Sequence, residues 1–397
     1  QVYSLYAGPT IATRLGAVDV SGYARVGYNR FEANDPVVDS VGNPVDIFDD
    51  SVTYRGQVTA GTRPGNPLPI GIALTAGGYQ EDISNLDQRV RDAYVRGDVQ
   101  VPLGETLALV AGIGYEDVEV SSRDAVVDPV TGLPVLGDDG RLVTDKSQDR
   151  QIAYDVSGLI WDAGIIWRPS SRTSFQASVG RRYDSTTYYG NLAWAPSKRE
   201  SLNVSVYDTV SGFGGQLNTA LANLPTEFSA GRNSLTGDLG GCVSGPDGAG
   251  CLGGVLGSVR SSVFRSRGVA GSYSVSAGRL SAGIGLGYDR RRFIAAPGTI
   301  LGSADGRSDE SYYVAAFLSG EIDRNSSFTT NLYGNRLESG FDLAGDVTTV
   351  GGSAAYNRSI TGRLSARAAL AVDHIMTEAS PEDFTAASAL IGLRYGF

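Results

Sequence analysis

The stretch DAYVRGDVQV (92–101), PLGET (102–106), LALVAGIGYE (107–116) decides the fold. From Ala93 to Val101 every second residue is apolar or glycine, and polar or charged residues lie between them. After the turn the alternation continues from Leu107 to Tyr115. A period of two predicts β-strands with one apolar and one polar face. A strand of about ten residues is long enough to cross a bilayer when it is tilted.

The connections between such segments alternate between short and long, which predicts tight turns at one end of the strands and loops at the other. Segments 201–208 and 363–373 repeat the alternation. The predicted fold is all-β, a single domain (1–397) forming a transmembrane antiparallel up-and-down β-barrel of the outer-membrane type with about 16–18 strands. Short connections are expected at 63–66, 102–106, 170–172, 196–200, 277–279, 324–326 and 361–363, and longer ones near 33–50, 80–88, 122–150, 214–258, 294–308 and 377–384.

Composition narrows the classes of function. No stretch approaches 18 uninterrupted apolar residues, so a helical membrane span is excluded. The net charge of −10 argues against nucleic-acid binding. His374 is the only histidine, and we interpret it as a residue at a strand end rather than as a catalytic base. No nucleophile elbow, zinc-protease motif or phosphate loop occurs, so neither an enzyme nor a cofactor is expected.

The two ends of the chain carry different signals. The last strand places Ile391, Leu393, Tyr395 and Phe397 on one face, a pattern that predicts recognition by the outer-membrane assembly machinery. Pairing strands backwards from this end leaves residues 2–13 as an odd strand, whereas bacterial barrels have even numbers. Either residues 1–13 lie outside the wall, or further strands precede Gln1.

The 214–258 loop contains both cysteines of the chain. Cys242 and Cys251 lie nine positions apart, and in an oxidising compartment they are expected to form a disulfide that closes a small loop. A zinc site would need two more ligands. Two arrangements of the whole loop are open: it folds inward and constricts a pore, or it stands outside as a surface for a partner.

Several stretches resemble one family, the alphaproteobacterial outer-membrane β-barrel proteins that are often labelled, misleadingly, as a preprotein translocase subunit. The resemblance implies a porin-like barrel of about 22 strands, with further strands before the equivalent of Val2, and it implies no particular substrate. It is carried by QVYSLYAGPT (1–10), YVRGDVQVPLGETLALVAGIGYEDVEVSSRDA (94–125), YDVSGLIWDAGIIWRPSSRTSFQASVGRRY (154–183), LTGDLGGC (235–242) and FRSRGVAGSYSV (264–275).

The inward face supplies the candidate functional residues. Charges across a lumen select solutes by charge, or they pair with one another and only hydrate a wide interior; both interpretations stay open. The residues predicted to project inward are Asp19, Arg25, Asp92, Arg96, Asp98, Glu116, Asp289, Arg291, Arg336, Arg367 and Arg394.

Two functions follow from these patterns as hypotheses. The first is a porin-like channel in the bacterial outer membrane for passive diffusion of small hydrophilic solutes. The alternative is a structural or docking barrel whose long acidic loops bind lipopolysaccharide, a surface layer or a partner protein. Divalent cations bridging the loop carboxylates to lipopolysaccharide phosphates would suit the alternative. The expected surroundings are outer-membrane lipid and lipopolysaccharide, and a homo-oligomer is left open.

Overall fold

The computed structural model describes residues 1–32, 47–222, 224, 259–341, 345–378 and 383–396, together with the backbone of three short strands between 229 and 251. In chain order the elements are β1 (Val2–Ala7), β2 (Thr10–Leu15), β3 (Val18–Phe31), β4 (Asp50–Thr62), β5 (Gly71–Ile83), β6 (Gln88–Pro102), β7 (Leu107–Ser122), β8 (Gln151–Ser170), β9 (Thr173–Arg182), β10 (Ser185–Ser197), β11 (Glu200–Ser211), α1 (Phe213–Ala222), β12 (Ser229–Arg232), β13 (Leu239–Gly245), β14 (Gly248–Cys251), β15 (Phe264–Ala277), β16 (Leu280–Phe293), β17 (Ser308–Asp323), β18 (Ser326–Glu338), β19 (Val347–Ser359), β20 (Leu364–Thr377) and β21 (Phe384–Tyr395).

One 18-stranded antiparallel sheet contains all of the long strands, and from β3 onward each of its strands pairs with the strand of that sheet that precedes it and the one that follows it in the sequence. This up-and-down order confirms the predicted fold class. Strands β12 to β14 form a separate three-stranded sheet, and short 3-10 segments occur at Asn85–Asp87 and Ile300–Ala304. No helix among the described residues is long and apolar enough to cross a membrane.

The N-terminal residues lie in the wall. Strands β1 and β2 both pair with β3, so together they make one interrupted strand, and the sheet has seventeen strand positions. This corrects the alternative in which residues 1–13 lie outside the wall. In the described part of the chain, β1/β2 and β21 each have a hydrogen-bonded neighbour on one side only.

The two faces of the sheet differ as the alternation predicts. On β7, Leu109, Ile113 and Tyr115 are exposed, whereas Glu116 and Val118 on the opposite face are buried. The exposed apolar residues define the outer face, which suits contact with lipid hydrocarbon. The buried and polar residues define the inner face.

The predicted short connections all join strands at one end of the sheet, here called the turn end; the opposite end is the loop end. One connection differs from the predicted pattern: β9 and β10 are joined at the loop end by only Tyr183 and Asp184. Both residues have positive φ values, 55° and 51°, which is the backbone of a type I′ turn and matches the twist of a hairpin. The sequence carries no Asn-Gly signal there, so the turn was missed.

Buried apolar side chains concentrate at the loop end of the inner face. The elements that supply them include β5, β6, β7, β11, α1 and the β9–β10 turn, and the set is called here the apolar cluster. Its buried members are Phe48, Ile83, Val90, Val118, Val120, Tyr183, Val210, Phe213, Leu217 and Val263.

Candidate functional site: the inner face and helix α1

Helix α1, the start of the predicted 214–258 loop, lies inside the curved sheet. The amide N–H of Gly215 donates to Glu81 Oε1 on β5 at 3.0 Å, and the side chain of the next residue, Gln216, donates to Asp289 Oδ2 on β16 at 3.3 Å. Seven strands separate β5 from β16 along the sheet. In a flat sheet the two would be roughly 38 Å apart, at about 4.8 Å per strand. Adjacent residues reach both, so the sheet curls around α1.

Glu81 holds the N-terminal end of α1. Its carboxylate is fully buried and accepts hydrogen bonds from Gly212 N at 2.7 Å, Gly215 N at 3.0 Å and Tyr79 Oη at 2.6 Å. The first backbone N–H groups of a helix have no partner within the helix, and they carry partial positive charge. A buried carboxylate from the wall supplies both the acceptor and the opposite charge.

Two glycines allow this close contact between α1 and the wall. A Cβ atom on Gly214 would overlap Ser51 Oγ, and one on Gly215 would overlap Tyr79 Oη. The sequence Gly-Phe-Gly-Gly (212–215) therefore lets the helix backbone approach β4 and β5 directly.

Further contacts attach α1 to the strands on either side. Asn218 Nδ2 donates to Thr53 Oγ1 on β4 at 2.7 Å, and Ser4 on β1 donates to Asn218 Oδ1 at 3.0 Å. On the opposite side Gln216 Nε2 donates to Ser266 Oγ on β15 at 3.2 Å. Strands β12 to β14, later in the same loop, lie against β11 and β15 to β18.

A buried ion-pair network lies beneath the β9–β10 turn. Arg182 bonds Asp92 at 2.7 Å and Glu116 at 2.8 Å, so one guanidinium joins β9 to β6 and β7. The backbone N–H of Tyr183 also donates to Glu116, at 2.5 Å. Burial raises the pKa of the Tyr183 hydroxyl, which therefore stays protonated. These bonds draw the turn towards the inner face, where Tyr183 joins the apolar cluster.

Most of the predicted inward charges are paired with one another or with nearby groups. Arg96 bonds Asp98 and Asp162, each at 2.5 Å, and Asp289 accepts from Arg291 at 3.1 Å. Asp19 pairs with Arg63 at 2.6 Å and Arg14 at 3.1 Å near the turn end. The pairing within the wall is what the hydration interpretation expects, although selectivity by charge stays a hypothesis.

Three of the predicted arginines lie on β18, β20 and β21. The register places Arg367 opposite Asn357, and Arg394 opposite Ser365, on the inner face. The prediction that Arg336 projects inward is wrong. Arg336 lies opposite Tyr312 on the outer face, where it pairs with Glu338 at 3.0 Å. Strand β18 alternates as predicted, but its inward residues are the odd-numbered ones, such as Asn331 and Tyr333. Arg336 belongs to the even-numbered set, which faces outward.

The remaining predicted residues are placed as follows. His374 lies on the outer side of β20, where Nδ1 is 2.7 Å from Thr385 Oγ1. Ile391, Leu393 and Tyr395 share the exposed face of β21, and Phe397 lies outside the described residues.

Cys242 on β13 and Cys251 on β14 are backbone partners in the register of the two strands. Their side chains lie outside the described part, so the disulfide stays a prediction.

Sequence reasoning missed Glu81, Arg182 and Asp208. Asp208 lies on the opposite side of β11 from Tyr207, is almost fully buried, and pairs with Arg265 at 2.7 Å and Arg267 at 3.0 Å. Alternation alone does not show which charges meet partners from distant strands. In the described ranges no group of three or more His, Cys, Asp or Glu side chains is placed to hold a metal ion.

The strand lengths, the exposed apolar outer face and the ion-paired inner face define the class of protein. It is an all-β protein of the outer-membrane barrel type, as the alternation of its strands predicts. No protein-family model matches the chain, and no curated protein matches it.

Solved structures with a similar arrangement are distant in sequence. The copper transporter OprC has a TM-score of 0.39 and 14% identity over 99% of this chain and 64% of its own. The ferric yersiniabactin uptake receptor FyuA from Yersinia pestis has a TM-score of 0.39 and 10% identity over 96% of this chain and 61% of its own. OmpT, an outer membrane protein of Vibrio cholerae, has a TM-score of 0.28 and 8% identity over 85% of this chain and 97% of its own. The chain thus spans less than two thirds of the length of OprC and of FyuA.

Proposed function

We propose that the protein is a transport barrel for small hydrophilic solutes whose outer mouth is held closed by helix α1. The observation that carries this proposal is the set of bonds from α1 to opposite sides of the curved sheet, on β5 and β16. Water and small solutes suit an inner face made of Gly, Ser, Thr, Tyr and paired charges. Passive diffusion, as in a porin, is the simplest mode of transport once α1 moves aside, because it requires neither a catalytic step nor a cofactor.

Glu81 offers the sharpest test, because a neutral Glu81→Gln side chain keeps the size and removes the charge that faces the helix N-terminus. Single-channel conductance in planar bilayers is recorded for the wild type, for Glu81→Gln and for Glu321→Gln, which changes an exposed carboxylate near the turn end. We expect a wild type that is mostly closed, a Glu81→Gln variant that opens more often, and a control that behaves like the wild type.

The other outcomes are decisive. If the wild type conducts steadily and Glu81→Gln adds nothing, α1 does not close the barrel. If all three proteins are folded and pass no current, the transport proposal is wrong.

The second candidate function is a structural or docking barrel, and the packed apolar cluster at the loop end favours it. Ten buried apolar residues join the wall, α1 and the loops, as an anchor without a pore would require. Its acidic loops would bind lipopolysaccharide, a surface layer or a partner protein. Two results together would select this function. The wild type and its variants would be folded but pass no current, and the protein would be retained on lipopolysaccharide-coated beads unless a chelator is added.

We also propose that the chain belongs to the alphaproteobacterial family that it resembles, and that further strands complete the sheet to about 22. Within the part of the chain that the structure describes, β1/β2 and β21 each pair with a strand on one side only, and this supports the proposal, since open backbone groups in hydrocarbon cost several kcal/mol each. Mass and N-terminal sequence of the protein isolated from outer membranes test it; a native N-terminus at Gln1 would overturn it.

A further inference from the structure

Two arginines face each other on the inner wall directly below α1. Arg25 on β3 and Arg55 on β4 are register partners, and the next pair towards the loop end, Gly27 and Thr53, meets Asn218 of α1. Side chains of directly opposed residues in an antiparallel sheet have Cβ atoms about 5 Å apart, and like charges there repel. A wall that places two arginines at directly opposed positions therefore needs contacts that separate or compensate the two charges.

The contacts that these two arginines make do not neutralise them. The Arg55 guanidinium lies 5.0 Å from the ring centre of Tyr79, and the Arg25 guanidinium lies 5.6 Å from that of Tyr23. Arg25 also donates to three backbone carbonyls, those of Gly8 at 2.8 Å, Ala24 at 3.0 Å and Pro9, and to the hydroxyl of Thr10. Throughout the part of the chain that is described, no carboxylate oxygen lies within ion-pair distance of either group. The inner arginines Arg96, Arg182 and Arg291, by contrast, each bond at least one Asp or Glu.

The surroundings of the arginine pair are rich in hydrogen-bond donors and aromatic faces. The hydroxyls of Tyr23 and Tyr94 meet Gln57 at 3.5 and 3.1 Å, and Tyr6 lies close enough for the charges of Arg25 and Arg55 to act on its hydroxyl. The buried carboxylates nearby have other partners. Glu81 accepts from Tyr79 and α1, and Asp92 accepts from Arg182.

We propose that Arg25 and Arg55 form a binding site for the anionic group, a carboxylate or a phosphate, of a hydrophilic solute inside the barrel. The planar Arg55 fork is free to bond two oxygens of such a group at once. Arg25 contributes charge, because part of its fork is occupied by backbone carbonyls. As a step in solute passage, the site rests on the proposed transport function.

Direct binding to the purified full chain in detergent tests the site without requiring conduction. Titration calorimetry with succinate and with inorganic phosphate is carried out on the wild type, Arg55→Gln, Arg55→Lys and Arg336→Gln. We expect saturable binding to the wild type, weakened roughly tenfold or more in Arg55→Gln, because a charged hydrogen-bonded partner is lost. Arg55→Lys should keep part of the affinity, since it keeps the charge but not the fork. Arg336→Gln, on the outer face, should bind like the wild type.

Each result separates the site from the channel. Preferential binding of succinate identifies a carboxylate site, and preferential binding of phosphate identifies a phosphate site. If neither anion binds the wild type, or if folded Arg55→Gln binds equally well, the site is overturned even where bilayers show conductance. If anions bind but the barrel and its Glu81→Gln variant stay silent, the transport function is overturned and the site stands.

Discussion

The two ends of the inner face are built from the same strands, yet they differ in kind. On β7 the inner residues of the turn half are Ala108, Val110, Gly112 and Gly114, whereas those at the loop end are Val118 and Val120, which belong to the apolar cluster. The loop half is a packed core that includes α1, and its buried charges, such as Glu81 and Glu116, are bonded within it. The inner wall is therefore most tightly packed where the chain folds back against it.

The largest expected effect comes from removing the centre of the loop-end packing. Phe213 is fully buried, with its ring 4.9 Å from that of Phe48. Phe213→Ala should lower the free energy of opening α1 by about 3–5 kcal/mol, because it leaves a cavity in the apolar cluster. Hydrogen exchange of the 213–222 amides measures it. Thr59→Ala, on the inner face of the turn half, removes the hydrogen bonds of that hydroxyl with Thr75 and Gln57 and should cost about 1–2 kcal/mol of stability. Equal losses in the two variants would contradict the difference between the two halves.

The buried network under the β9–β10 turn should tolerate change less well than a pair nearer the turn end. Glu116→Gln leaves Arg182 with Asp92 alone and is expected to cost about 3 kcal/mol of unfolding free energy. Asp98→Asn breaks a pair with Arg96 that is about one third exposed, so it should cost about 1 kcal/mol or less. Urea unfolding in detergent, followed by tryptophan fluorescence, compares the two variants. A larger loss from Asp98→Asn would contradict the difference between the two halves.

The predicted disulfide sharpens the same contrast by testing the loop beyond α1. Cys242 and Cys251 face each other in the register of β13 and β14. Cys251→Ser should lose at most about 2–3 kcal/mol of stability in that loop, as expected for a ring of about ten residues. Mass spectrometry after alkylation, with and without reductant, reads the bond directly. Two cysteines that alkylate without reductant would disprove the bond.

The smallest effect concerns pH at the rim of the loop end. Burial raises the pKa of the Asp49 carboxyl above its ordinary value, although Arg141 at 3.3 Å opposes the shift. A raised pKa means that Asp49 binds a proton more readily when the segment around it, residues 47–49, is packed at the loop end. This contribution to docking is complete below pH 3.8 and is lost as the pH rises through the raised value.

Protection of the Phe48 amide, which donates to Val259 O at 2.8 Å, should therefore increase slightly when the pH falls from about 7 to about 5. The comparison uses exchange rates corrected for their intrinsic pH dependence. In Asp49→Asn the increase should vanish. An increase of the same size in that variant would assign the effect to another group.

The predicted strands were confirmed where a strict alternation of apolar and polar residues defined them. Strand 92–101 and its partner 107–116 appear within β6 and β7, and the short connections that were predicted all lie at the turn end. The candidate site was less accessible. Arg96 and Asp98 were placed inward by alternation alone, but Glu81 fell in the predicted connection 80–88 and looked no different from any other acid there. Its partner is a helix 131 residues further along the chain, and no local pattern reports such a contact.

The sequence by itself determined the class of fold, because a period of two, the strand lengths and the alternation of short and long connections are local properties of the chain. It also determined that charged residues such as Arg96 and Asp98 lie on the inner face. Only the tertiary structure decided that helix α1 lies inside the curved sheet and which strands hold it there. Gly215 and Gln216 are adjacent in the sequence, but they bond walls that seven strands separate. Curvature brings those walls together, and curvature is a property of the whole sheet.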